Sequence, residues 1–225
     1  MRRACFAALL LMLASSTMSF AQSPKGDTQP SAASDSDDSM EPLQLGDHWT
    51  YEIRDEIAGT VKATIATVVT DITPTDVSIR SETLGTPGFG FLVFDHLWNA
   101  KDNSTWKYSP NDGTGIKQPL TAGAAWKFQS NDTFVARGAA FKRSGSSKVI
   151  GEESITTRAG TFNAFRIETK YEGRNVADPT RTFQTQLTTW YAPSVDHWVK
   201  RTSKTTISGH VNDNTTIELI EFGRR

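Results

Sequence analysis

Three residues within four positions, Ser194, Asp196 and His197, have the types of a hydrolytic triad; they sit in the stretch WYAPSVDHWVKR, from Trp190 to Arg201. A triad needs a histidine bonded both to the nucleophile and to an orienting acid, and those partners usually come from separate chain segments. Asp196 and His197 are chain neighbours, so their side chains diverge in extended backbone. Ser194 also lacks the Gly-x-Ser-x-Gly elbow that presents a strained nucleophile. The stretch reads better as a turn led by Pro193 between two Trp-bearing strands, with Ser194 and Asp196 bonding local amides. No catalytic residue is assigned.

The Asp-His pair recurs as Asp47-His48, Asp95-His96 and Asp196-His197, each with a Trp within two residues. Histidines from three strands could form a metal site, His48, His96 and His197 with carboxylates behind them and His210 as a fourth. No His-x-His or His-x-x-x-His spacing marks such a site. The plainer reading places Asp at strand openings and His beside Trp at a sheet rim. A metal-binding protein or hydrolase using those three histidines is therefore the alternative, and no cofactor is implied. The single cysteine is Cys5, which removes disulfides and thiolate sites from the rest of the chain.

The positioning elements are strands. WTYEIRDE sets Trp49, Tyr51 and Ile53 on one face and Thr50, Glu52 and Arg54 on the other, and period-two runs recur to the end of the chain. Turn chemistry in PNDGTG, SND, RSGSS and SGHVNDN separates them, and a weak helical turn is expected near Gly160 to Asn163. The fold class is all-β, mainly antiparallel: a curved sheet or open half-barrel of about ten or more strands. Strand-borne aromatics suggest a concave face for an apolar or amphiphilic ligand. Trp49, Tyr51, Trp126, Phe128, Trp190 and Trp198 are its candidates, and equally candidates for plain core. Lys107 and Lys127 would point the other way, as solvated charges. The triplets at Asn103, Asn131 and Asn214 serve only as loop markers.

Residues 1–21 read as a signal peptide, with Arg2 and Arg3 before a short apolar run and cleavage after Ala21. This implies a periplasmic or extracellular protein with no transmembrane segment after cleavage. Residues 22–41 are Ser/Asp/Pro-rich and read as a disordered spacer. A single β domain then spans 42–225, with 21 basic and 20 acidic residues. That balance gives no footprint for nucleic acid.

PLQLGDHWTY at Pro42 is echoed by PLTAGAAWKF at Pro119, both Pro-Leu-x-x-Gly-x-x-Trp-x-aromatic. The echo suggests two halves of one sheet opened by the same device. PLQLGDHWTYEI, RAGTFNAFRIETKY and WYAPSVDHWVKR, in that order, resemble exported bacterial domains of unknown function of the TapB-like kind. The matching positions are Pro42, Gly46 and Trp49; Ala159, Gly160, Thr161, Phe162 and Ala164; and Trp190, Tyr191, Pro193 and Val195. The resemblance implies half-barrels of the lipoprotein-carrier type and transfers no catalytic residue. Asp196 stands where those domains commonly have Gly, and Asp tolerates the left-handed backbone a turn needs. The leading expectation is a non-enzymatic exported envelope protein that binds a ligand or a partner; a structural interaction module is a further alternative.

Overall fold

A computed structural model of the chain describes residues 42–224. The expected signal peptide and spacer, residues 1–41, lie outside the described residues. Twelve strands follow one another: β1 (His48–Asp55), β2 (Thr60–Ile72), β3 (Val77–Thr83), β4 (Gly90–Phe94), β5 (Ala100–Asp102), β6 (Trp106–Ser109), β7 (Ala125–Phe134), β8 (Ala140–Thr157), β9 (Gly160–Asn175), β10 (Thr182–Ala192), β11 (His197–Ile207) and β12 (His210–Gly223). Every neighbouring pair is antiparallel, which bears out the fold class and the strand number. The expected open half-barrel is corrected to a closed barrel, because β1 pairs with both β2 and β12. Closure satisfies the backbone groups that an open sheet would leave at two edges.

Antiparallel order puts the connections alternately at two rims. The distal rim carries the β1–β2, β3–β4, β5–β6, β7–β8, β9–β10 and β11–β12 turns. The terminal rim carries the others, together with Pro42 and Arg224. The Pro-Leu echo is structural. Gly46 and Gly123 both have positive φ, 91° and 86°. Gly46 N–H donates to Val69 O, and Val69 N–H to Asp47 O; Gly123 N–H donates to Val149 O, and Val149 N–H to Ala124 O. Trp49 then faces Thr67 and Trp126 faces Ser147, each two residues before the bonded valine. β1 and β7 thus open equivalent hairpins, one at the start of each set of six strands. Gly123→Ala, with nothing near the new methyl but a disfavoured φ, is expected to lower stability by about 1 kcal/mol, read from the urea midpoint. An unchanged midpoint would remove the backbone role.

Several local expectations change. Gly160 to Asn163 is the start of β9, not a helical turn, because Gly160 closes a tight hairpin opposite Thr157. SND and RSGSS lie inside β7 and β8. Asn131 and Asn214 are strand residues, and only Asn103 sits in a turn. Phe94 ends β4, so Asp95, His96 and Trp98 belong to the β4–β5 connection, with Trp98 at φ 60°. The Pro193 turn is borne out as one 3-10 turn, Pro193–Val195, closed by Asp196 in the left-handed region.

The core fills the terminal half, with Trp49, Val69, Ile79, Val149, Ile167, Tyr191 and Leu219 all buried. The outward side chains of β7–β10, such as Lys127, Gln129, Lys142, Lys170, Gln184 and Gln186, are exposed. A wall of that polarity does not face lipid. No helix among the described residues is long and apolar enough to cross a membrane.

Candidate ligand-binding site

At the terminal end, His197 is buried in an aromatic cage. Its ring stacks on Trp49 and meets Trp98 edge-on, both at 4.5 Å between centroids, and touches Trp198 at 3.7 Å. Tyr51 Oη–H donates to Trp198 O at 3.0 Å and shares a short hydrogen bond with His197 Nδ1. With the phenol proton on the carbonyl, Nδ1 carries the hydrogen and donates to Tyr51. Burial, and then the Arg201 guanidinium, push the His197 pKa well below its ordinary value, so the ring is neutral. Burial raises the Tyr51 phenol for the same reason. Ser194 is exposed while His197 is sealed inside. The triad is not assembled.

Two of the Asp-His pairs do meet, through their acids. Arg224 lies between Asp47 (Nε to Oδ2, 3.6 Å) and Asp196 (Nη2 to Oδ2, 3.8 Å). Tyr191 Oη–H and Trp98 Nε1–H both donate to Asp196 Oδ1, at 2.8 and 3.3 Å. The Asp196 side chain therefore bonds rings across the rim rather than the local amides expected of it. Burial raises its pKa against the pull of Tyr191, Trp98 and Arg224. The third pair stands apart: Asp95 ties its own turn to Asn99 and Asn111, and His96 Nε2 bonds Thr73 O at 2.7 Å. His48 Nδ1 meets Gly46 O. Among the described residues no three His, Cys, Asp or Glu side chains are grouped to hold a metal ion. The proposed meeting of His48, His96 and His197 is therefore corrected: each is engaged by a different neighbour.

The aromatic candidates divide. Trp49, Tyr51 and Trp198 are buried core. Trp126 and Phe128 are half-buried on the inner side of β7. Trp190 alternates outward from Thr189 and Tyr191, donating Nε1–H to Glu153 at 2.6 Å, with Lys200 near its ring. Lys107 and Lys127 are exposed as expected.

One cavity of about 350 Å³ opens at the terminal rim beside Leu97, Trp98, Ile116 and Tyr191; another opens at the distal mouth. This second cavity, of about 400 Å³, is lined by Trp106, Tyr108, Phe141, Phe183, Thr205 and Ile207, with Arg143, Asp132, Asn212 and Asp213 among them. The rings interlock: Trp106 to Phe141 and Phe141 to Phe183 are both 5.8 Å. Arg143 forms the polar floor. Its Nη2 pairs with Asp132 Oδ2 at 2.6 Å, and its guanidinium lies 5.2 Å from the Tyr108 ring and 4.5 Å from the Tyr171 ring. Burial raises the Asp132 pKa more than Arg143 and Ser130 lower it. Burial pushes Tyr108 up to about 12. Depressions of about 540 and 570 Å³ on the outer wall are lined mainly by polar and charged side chains of β7–β9, such as Lys127, Gln129, Lys142 and Lys170, and offer no such ring of aromatics.

The sequence reading missed Arg143, Asp132, Phe141 and Phe183. The available signal was alternation: Trp126, Phe128, Ser130, Asp132, Phe134 on β7, and Phe141, Arg143, Gly145, Ser147, Val149 on β8. Both series run unbroken through the segments taken for turns.

No protein-family model matches the chain, and no curated protein matches it. Solved structures do. A protein described as a lipoprotein from Parabacteroides distasonis gives a TM-score of 0.54 at 15% identity, over 81% of this chain and 97% of its own. An exported protein from Bacteroides fragilis, described as having a YmcC-like fold, gives 0.51 at 13% identity, over 81% and 98%. The barrel is similar in architecture to both of these proteins. Likeness at this identity shows architecture alone. The three stretches that carry the sequence resemblance converge on the terminal rim of the barrel. PLQLG opens β1, Arg158 N–H donates to Glu218 and Phe162 meets Phe222 at the β8–β9 hairpin, and the Pro193 turn carries Asp196.

Proposed function

We propose that this chain is an exported bacterial envelope protein of the TapB-like kind that binds an amphiphilic ligand at the distal mouth, without catalysis. The aromatic-lined cavity of about 400 Å³ carries this reading, because ligand sites are concave, mostly apolar and equipped with a few polar groups. The apolar part of the guest lies on Trp106, Phe141 and Phe183. Its polar end meets Arg143, Asp132 and Asp213. Export rests on the signal-like residues 1–21, and is supported by neighbours described as exported or lipoprotein. The buried candidates Trp49, Tyr51 and Trp198 frame the closed end, and the guest does not reach Trp190 on the outer wall.

The test is a fluorescence titration of delipidated protein with a polyene fatty acid, with mass spectrometry of material carried through purification. Saturable binding that quenches tryptophan is expected. Ile207→Trp, at the exposed lip, should weaken it at least about tenfold, or about 1.4 kcal/mol. Binding unaffected by both Ile207→Trp and Phe183→Ala, or no saturable binding, would overturn the proposal.

A further inference from the structure

Twelve large apolar side chains are exposed among the described residues, and nine belong to the distal hairpins. Ile57 and Val61 flank the β1–β2 turn, and Leu84, Phe89 and Phe91 the β3–β4 turn. Val135 and Val176 lie in the β7–β8 and β9–β10 turns, and Ile207 and Val211 flank the β11–β12 turn. Five of the six distal hairpins therefore present apolar groups, led by Phe89 at 62% and Ile57 at 59% exposure. Phe89 and Phe91 form an edge-on pair at 5.5 Å, with the Arg80 guanidinium 5.7 Å from the Phe89 ring. Of the twelve, Leu45, Leu97 and Ile150 lie elsewhere.

We propose that this crown docks the distal mouth onto an anionic lipid bilayer surface. The distribution favours a bilayer over a protein partner. A protein interface concentrates its apolar anchors near the centre of a patch, inside a polar rim. Here the centre is a cavity mouth, and the apolar groups sit around it on separate turns, as a planar medium would engage them. Charge agrees. Lys62, Arg137, Lys142, Arg181 and Lys204 stand on or beside these turns, are exposed and join none of the described ion pairs. The acids of the same turns are engaged locally: Asp55 accepts from Ile57 and Ala58 N–H, Asp178 from Thr180 and Asp213 from Thr215, while the exposed Glu56 pairs with Arg54. Unpaired cations near an anionic headgroup layer add attraction to the shallow burial of apolar tips. Pro42 and Arg224 lie at the other rim, so the described chain ends leave the crown clear. Docking does not depend on what fills the cavity, although it would open that cavity directly onto lipid.

Cosedimentation of the purified protein with phosphatidylethanolamine/phosphatidylglycerol vesicles tests it. Binding that weakens in high salt is expected. The triple variant Ile57→Asp, Phe89→Asp, Val176→Asp should lose at least tenfold in partitioning while binding the polyene fatty acid as before. Ile207→Trp should retain vesicle binding, which separates failure of docking from failure of the ligand reading. No vesicle binding by the wild type, or equal binding by the triple variant, overturns docking. So does self-association or capture of a protein that the triple variant abolishes while vesicles remain unbound.

Discussion

Asp132→Ala is expected to destabilise the barrel by about 3–5 kcal/mol, the usual cost of leaving a buried charge without its partner. Asp132 is 1% exposed and holds Arg143 at 2.6 Å. Ser130 Oγ–H donates to the other carboxylate oxygen at 2.7 Å. Arg143 Nε already lacks a hydrogen-bond partner. Burial works against the guanidinium, and Tyr171, Asp132 and Asp112 together more than offset it. Removing Asp132 takes away its one ion pair. The intact pair is not itself a large source of stability, because burial still raises the Asp132 carboxyl. The double variant Asp132→Leu, Arg143→Met should therefore unfold near the wild-type midpoint, making the cycle strongly non-additive. Urea melts of wild type, Asp132→Leu, Arg143→Met and the double variant close the cycle, with Asp132→Ala measured beside them. An Asp132→Ala barrel as stable as wild type would show that the guanidinium reaches solvent or other acceptors. The double variant would also replace the polar floor of the mouth, so its ligand titration reports whether that floor selects the guest.

The same polar interior explains how far the sequence was legible. Period-two patterning gave strands, an antiparallel sheet and the hairpin-opening role of Gly46 and Gly123, because those depend on neighbours in the chain. Closure did not show, because it rests on β1 meeting β12 across some 170 residues, and no local signal carries that pairing. Strand faces were misread where the interior turns polar. Ser130 and Asp132 point inward on β7, and Arg143, Gly145 and Ser147 on β8, so a binary pattern tuned to apolar cores made turns of them. The aromatic candidates failed differently. Trp49 and Trp190 have the same residue type and strand setting, yet one is 1% exposed and the other lies on the outer wall against Glu153. Parity relative to the barrel axis separates them. It is fixed by neighbouring strands and by the bulge between Trp190 and Tyr191.

The recurring Asp-His pair shows how a repeated dipeptide can serve unlike ends. In Asp95-His96 the acid braces a turn. In Asp47 and Asp196 the acids join the first strand's approach and the Pro193 turn to Arg224, closing the terminal rim. That rim is crowded with rings and ion pairs; the distal rim keeps its aromatics around a cavity and its apolar tips in solvent. The packed ion-pair and ring network thus lies at the end opposite the proposed binding mouth, so substitutions at the distal turns should leave the fold intact.

Acid is expected to weaken the fold through His197, beginning near pH 6.5. The folded ring has its pKa well below the ordinary value, first through burial and then through Arg201. Between the unfolded pKa and the depressed folded one, the unfolded chain binds a proton that the native chain does not. Stability therefore falls as pH falls, by about 1.4 kcal/mol per unit for one such group, and levels off once the native ring protonates. Asp132 and Asp196 oppose this at lower pH: their raised folded pKa values mean that the native state takes up protons first. The useful quantity is the difference from His197→Phe. Phenylalanine can keep the stacking on Trp49 and the edge contact with Trp98, and Tyr51 retains Trp198 O as its acceptor. Wild type should lose stability between pH 6.5 and 5 in urea melts, while His197→Phe should be flatter over the same interval. Parallel curves would mean that the imidazole is already solvated or charged in the folded barrel, and the neutral stacked ring would have to be abandoned.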